Sequence, residues 1–149
     1  MNTLIFKTQL LDRKSIQREV EVLESCSLYD LAEAIINSYG FDFDHAFGFF
    51  SKITRNWAFK GTKGNYELFA DMQDRGIEPV DSGSVEKTRV ADVWKHPKDQ
   101  MLFLFDYGDD WRWIVTLKTI GEKQAGVKYP RVLSAKGNAP EQYPEAEEE

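Results

Sequence analysis

Three carboxylates fall within five positions, at Asp106, Asp109 and Asp110. Oxygen ligands that close together can hold a hard divalent cation, and a cation with an open position can activate water for hydrolysis. His45 joins them if its strand reaches the same turn. Asp106, Asp109, Asp110 and His45 are therefore the candidate metal set, and a divalent-metal-dependent hydrolase or nuclease is the chemistry it would serve. The same turn can also be explained without a metal, because Asp side chains accept hydrogen bonds from nearby backbone amides. The ligand spacing and final Glu of an EF-hand are absent. So are a nucleophile elbow, a phosphate loop and a dinucleotide fingerprint. No complete catalytic set is visible, and a divalent metal is the one cofactor left open.

The second kind of chemistry is recognition. Tyr107, Trp111 and Trp113 flank the acidic turn, and Trp111 and Trp113 share one strand face. Core packing competes with ligand stacking for both tryptophans. Arg112 points the other way, where an Asp can pair with it. Arg131, Lys136, Gly137 and Asn138 make a basic, glycine-containing loop whose amides and cations suit phosphate. A solvated loop packed down through Tyr129 and Leu133 is the alternative. The candidate binding residues are Asp106, Tyr107, Asp109, Asp110, Trp111, Arg131, Lys136 and Asn138, and the partner is a protein or a nucleic acid. A non-catalytic binding module is the leading reading, since no catalytic set is complete.

Composition narrows the field. The chain has 149 residues, enough for one domain, and 42% hydrophobic content with 13% aromatic is ample for a core. No apolar run approaches the roughly 18 residues of a membrane helix, and no leader pattern opens the chain, so a cytoplasmic setting is expected. Cys26 is the single cysteine, which excludes an internal disulfide and a cysteine-built zinc site. It reads as a half-buried residue before a helix. The net charge of −6 argues against a protein whose main task is gripping a nucleic acid backbone. Within residues 111–140, however, six cations face one glutamate, Glu122.

The elements that must position these residues follow from periodicity. Met101–Phe105 is an unbroken apolar run, which suits a strand buried on both faces. Asp106 to Asp110 is a turn, and Trp111–Thr119 is the return strand. Leu4, Phe6 and Leu10 alternate in a first strand. Ile16, Val20 and Val22 alternate in a second, where Arg18 interrupts the apolar face and predicts a nearby sheet edge. Ser27 caps a helix with an apolar stripe over Leu28, Leu31, Ala32, Ile35, Ile36 and Tyr39, and Gly40 suits its end. His45–Ile53 is a third strand, Asn56–Phe69 a short hairpin, and Asp71–Lys87 a loop. Thr88 caps a short helix over Val90 to Trp94.

The fold class is therefore α+β. The expected architecture is an α/β roll, with a β-grasp-like ββαβ N-terminal half and a central antiparallel hairpin over 100–120. Residues 1–140 form a single domain and 141–149 an acidic disordered tail.

The segments Phe105-Asp106-Tyr107-Gly108-Asp109-Asp110-Trp111, Tyr129-Pro130-Arg131-Val132-Leu133 and Lys136-Gly137-Asn138-Ala139-Pro140 resemble the plasmid pRiA4b ORF-3-like family. The order of strand, strand, leucine-rich helix and His-plus-Phe strand agrees with it. Two features depart from the pattern. The first hairpin has Asp12 to Arg18 in place of a Pro- and Trp-containing stretch, and Phe43 stands where a second histidine is often found. The resemblance implies an α+β roll and an association with plasmids or transposable elements, and it supplies no activity. The resolvase label given to some members finds no recombinase constellation here.

Overall fold

Alternation builds the first pair of strands. In the computed structural model, which describes residues 1–144, β1 (Asn2–Leu10) and β2 (Gln17–Leu23) are antiparallel, with Leu4 opposite Val22 and Phe6 opposite Val20. The remaining strands are β3 (Phe47–Phe50), β4 (Tyr66–Glu67), β5 (Gln100–Phe105), β6 (Trp111–Glu122) and β7 (Arg131–Lys136). They form one seven-stranded sheet in the order β4-β3-β5-β6-β1-β2-β7. Every neighbouring pair is antiparallel.

The helices are few. The helix α1 (Leu28–Ser38) starts where the Ser27 side chain accepts from the Asp30 amide. Its stripe, Leu28, Leu31, Ala32, Ile35 and Ile36, is buried. The short α2 (Val90–Val93) is capped by Arg89 backbone rather than by a Thr88 side chain. The fold is thus dominated by its sheet. The strand–strand–helix–strand order is present at the N-terminus, but β3 lies beyond β5 and β6 from β1. Residues 1–53 therefore do not close into a self-contained β-grasp-like unit. The pairing of β3 with β5, through Phe49 opposite Phe103, is what draws it away.

Both faces of β5 are buried, as an unbroken apolar run demands. Phe103 and Phe105 join the large core beneath α1, together with Phe47, Phe49, Trp94 and Trp113. Leu102 and Leu104 face the other way, into a smaller cluster with Leu11, Phe50, Phe59 and Ile114. Burying each such side chain contributes about 1.5–3 kcal/mol. No hairpin forms over residues 56–69. The segment instead plugs Phe59 onto Phe50, with ring centroids 4.0 Å apart, and only Tyr66–Glu67 adds a strand. One short 3-10 turn, Leu68–Asp71, leads into the expected 71–87 loop, and a second, Gln73–Arg75, lies within it. No helix is long and apolar enough to cross a membrane, among the described residues.

Arg18 does not mark a sheet edge. β7 covers β2, and Arg18 is buried with its Nη1 donating to the carbonyls of Lys136 and Gly137.

Candidate functional site

The acidic turn joins β5 to β6. Asp106 and Asp110 both take left-handed backbone, at φ 64° and 57°. Asp tolerates that region because its short side chain bonds locally. Asp106 Oδ1 accepts from the Gly108 and Asp109 amides, each at 3.1 Å. Its other oxygen lies 3.4 Å from His45 Nε2. Asp110 turns away and pairs with Arg112 at 2.6 Å, while Asp109 is exposed at the apex.

The candidate metal set is therefore split by the turn itself. His45 and Asp106 are neighbours, but Asp110 is bound to a guanidinium. His45 Nε2 also lies 2.7 Å from the Tyr143 hydroxyl, which donates to the Asp44 carboxylate at 3.0 Å. Burial, and then the nearby Asp44, push the Tyr143 phenol up to about 12. No three His, Cys, Asp or Glu side chains are arranged to hold a metal ion, among the described residues. Gln142 accepts from the Asp42 amide at 2.7 Å, so the start of the expected tail docks on the fold. Residues 145–149 of that tail lie outside the described residues.

The candidate binding residues also separate. Trp111 and Trp113 face the large core, against Phe41, and do not form a platform with Tyr107. Among the described residues, the indole nitrogens of both tryptophans are buried without a hydrogen-bond partner. Arg131 is held at 2.7 Å by Glu21, not by the acidic turn. Lys136 and Asn138 are exposed at the far end of the sheet, with β1 and β2 between β6 and β7.

Tyr107 leads elsewhere. Its ring lies 5.0 Å from Phe69, and its hydroxyl donates to Glu67 Oε1 at 3.0 Å. Burial first, and the Glu67 charge second, raise its ionisation well above the ordinary phenol range, so it stays a neutral donor. Tyr107 is one wall of an open groove of about 800 Å³. Phe50 and Phe59 lie at its base, Trp57 and Phe69 stand at its sides, and Lys60 and Lys63 line it. Trp57 is 42% exposed.

The groove is held from below by Arg112. Its Nη1 donates to the Thr54 and Asn56 carbonyls, both at 2.7 Å. Its guanidinium lies 5.0 Å from the Trp57 ring and 5.4 Å from the Phe59 ring. Asn65 ties the same loop through the Phe59 and Thr62 carbonyls. Trp57, Lys60 and Phe69 escape sequence reading because an irregular loop has no period. The signal present was an exposed-type segment that spends Trp57 and Phe59 on two alternate positions.

An open groove with aromatic walls and a few polar groups can seat an apolar side chain or a planar ring and orient it by hydrogen bonds. Within it the Ser82 hydroxyl donates to Glu67 Oε2 at 3.0 Å, so the two carboxylate oxygens of Glu67 are taken by Ser82 and Tyr107. Cys26 is remote from the groove, and burial, with Asp30 adding its charge, pushes that thiol up to about 12.

Comparison with known proteins adds a family and a fold. Residues 3–144 match the family model described as plasmid pRiA4b ORF-3-like protein. Among solved structures, the chain is similar to a protein of unknown function, MM3350, from Methanosarcina mazei Go1. The TM-score is 0.71 at 21% identity, over 93% of this chain and 71% of that one. No curated protein matches the chain.

Proposed function

The chain belongs to the plasmid pRiA4b ORF-3-like family, and from that premise we propose that it is a non-catalytic binding module for a partner protein. The observation that carries this reading is the aromatic groove beside the acidic turn, with the half-exposed Trp57 at its side. Tryptophan and tyrosine supply large rigid contact area at small entropic cost, and they dominate the binding energy of protein interfaces. The groove carries both signs of charge, Lys60 and Lys63 against Glu67 and Asp81. Together with the net charge of −6, that favours a peptide segment over a nucleic acid backbone. The occupant is an extended or looped segment that inserts one aromatic or aliphatic side chain between Trp57 and Tyr107. A role in the upkeep or movement of a plasmid or transposable element is part of the proposal and rests on the family alone.

The test is selection of a displayed random-peptide library on the purified protein, with Trp57→Ala and Asp109→Ala as parallel baits. The expected result is a set of peptides sharing an apolar anchor that Asp109→Ala retains and Trp57→Ala loses. Peptides retained by Trp57→Ala would overturn the reading. Tight, Trp57-dependent binding of a short single-stranded oligonucleotide, with no peptide selected, would replace the protein partner with a nucleic acid.

A further inference from the structure

The core-facing side of the sheet is not evenly covered. The helix α1 lies over β2 and leaves an open groove of about 470 Å³ between itself and β7. Val20, Val22 and the half-buried Ala34 form an apolar floor, and Val132, 52% exposed, continues it on β7. The near wall is the solvent ridge of α1. Asp30 and Glu33 stand there one turn apart, both exposed and both lining the groove. Neither carboxylate has a cationic partner among the described residues. The one cation among the lining residues, Arg131, is engaged by Glu21.

Those features select a partner chemistry. An apolar floor asks for an apolar stripe, and two unneutralised carboxylates along one wall ask for cations beside that stripe. We propose that the groove between α1 and β7 receives a basic amphipathic segment of a partner protein, its apolar side on Val132 and Ala34 and its Lys or Arg side chains on Asp30 and Glu33. The site is separate from the groove beside the acidic turn and does not depend on it. Addition of a strand to the free edge of β7 is opposed by the irregularity in the β2–β7 register after Glu19 and by Pro130 just before the strand.

The probe is a labelled helical peptide of Lys and Leu at amphipathic spacing, followed by fluorescence anisotropy, with a Glu/Leu peptide of the same pattern beside it. A net-negative protein attracts cationic peptides in general, so the comparison is between variants of equal charge. Glu33→Lys alters the groove, whereas Glu78→Lys alters an exposed loop elsewhere. Glu33→Lys is expected to weaken the Lys/Leu peptide about fivefold or more, with Glu78→Lys close to wild type. Val132→Ser tests the apolar floor and is expected to weaken it by a few-fold. Circular dichroism confirms that each variant is folded. Equal losses in Glu33→Lys and Glu78→Lys would overturn the proposal, as would equal affinity for the Glu/Leu peptide or no binding by wild type. A self-associating protein whose dimer Val132→Ser dissolves would assign the groove to a second copy. Binding lost in Trp57→Ala but kept in Glu33→Lys would move the peptide to the other groove and overturn this site alone.

Discussion

Arg18 and Arg112 are both buried in the sheet, and they are held in different ways. Arg112 has a carboxylate, Asp110, at 2.6 Å, and the Thr54 and Asn56 carbonyls complete its shell. Arg18 has no carboxylate among its described partners. Carbonyls of Gln17, Ser38, Lys136 and Gly137 take that place, with the Tyr39 ring 4.7 Å from its guanidinium. Ser38 closes α1, so the cation also meets the negative end of that helix. Each arginine fixes chain that is distant in sequence. Arg112 fixes the loop that walls the aromatic groove, and Arg18 fixes the end of β7. A buried cation with its own anion thus supports the recognition surface, and a buried cation held by neutral dipoles supports the frame.

The comparison can be broken by replacing each cation with an apolar chain of similar length. Arg112→Met removes the ion pair with the 38% exposed Asp110 and leaves two carbonyls without their donor, and is expected to cost on the order of 3 kcal/mol, read by urea unfolding. Arg18→Met leaves carbonyls unpaired but breaks no ion pair, so about 1–2 kcal/mol is expected. The reverse order of effects would contradict the contrast. Asp110→Asn keeps a hydrogen-bond acceptor next to Arg112 and is expected to cost about 1 kcal/mol. Trp57→Ala removes a half-exposed ring, so a loss under about 1 kcal/mol is expected, although peptide capture should vanish.

The smallest effect concerns Tyr143, which belongs to neither arginine. Its phenol ionises near 12 in the fold, against an ordinary value of 10.0. The folded state therefore holds a proton that the unfolded state has lost across that window. The contribution of this contact is complete below pH 10 and declines as the pH rises toward 12. Spectrophotometric titration should show one phenol fewer ionising late in Tyr143→Phe.

Regular elements were legible and irregular ones were not. The strands β1, β2, β5 and β6 and the helix α1 could be read because their side chains alternate or recur every turn. The pairing of Arg112 with an Asp across its strand face was readable for the same reason. β7 has almost no buried face, so it offers no period and reads as a loop. Arg18 looks like an edge marker until β7 is seen to cover it. The candidate binding set was divided because nearness in sequence is not nearness in a sheet. Trp111 and Arg131 are close in the chain, but β1 and β2 are inserted between their strands. Of the predicted binding residues, Tyr107 alone lines the aromatic groove, and Asp110 acts there through Arg112.

The most direct measurement of the central claim is a map of backbone amide chemical shifts as a selected peptide is titrated into the labelled protein. The account predicts changes confined to Trp57 through Phe69, Val80 through Ser82, and Tyr107. Changes centred on Arg131 through Asn138, or on Gly108 and Asp109 without Trp57, would contradict it.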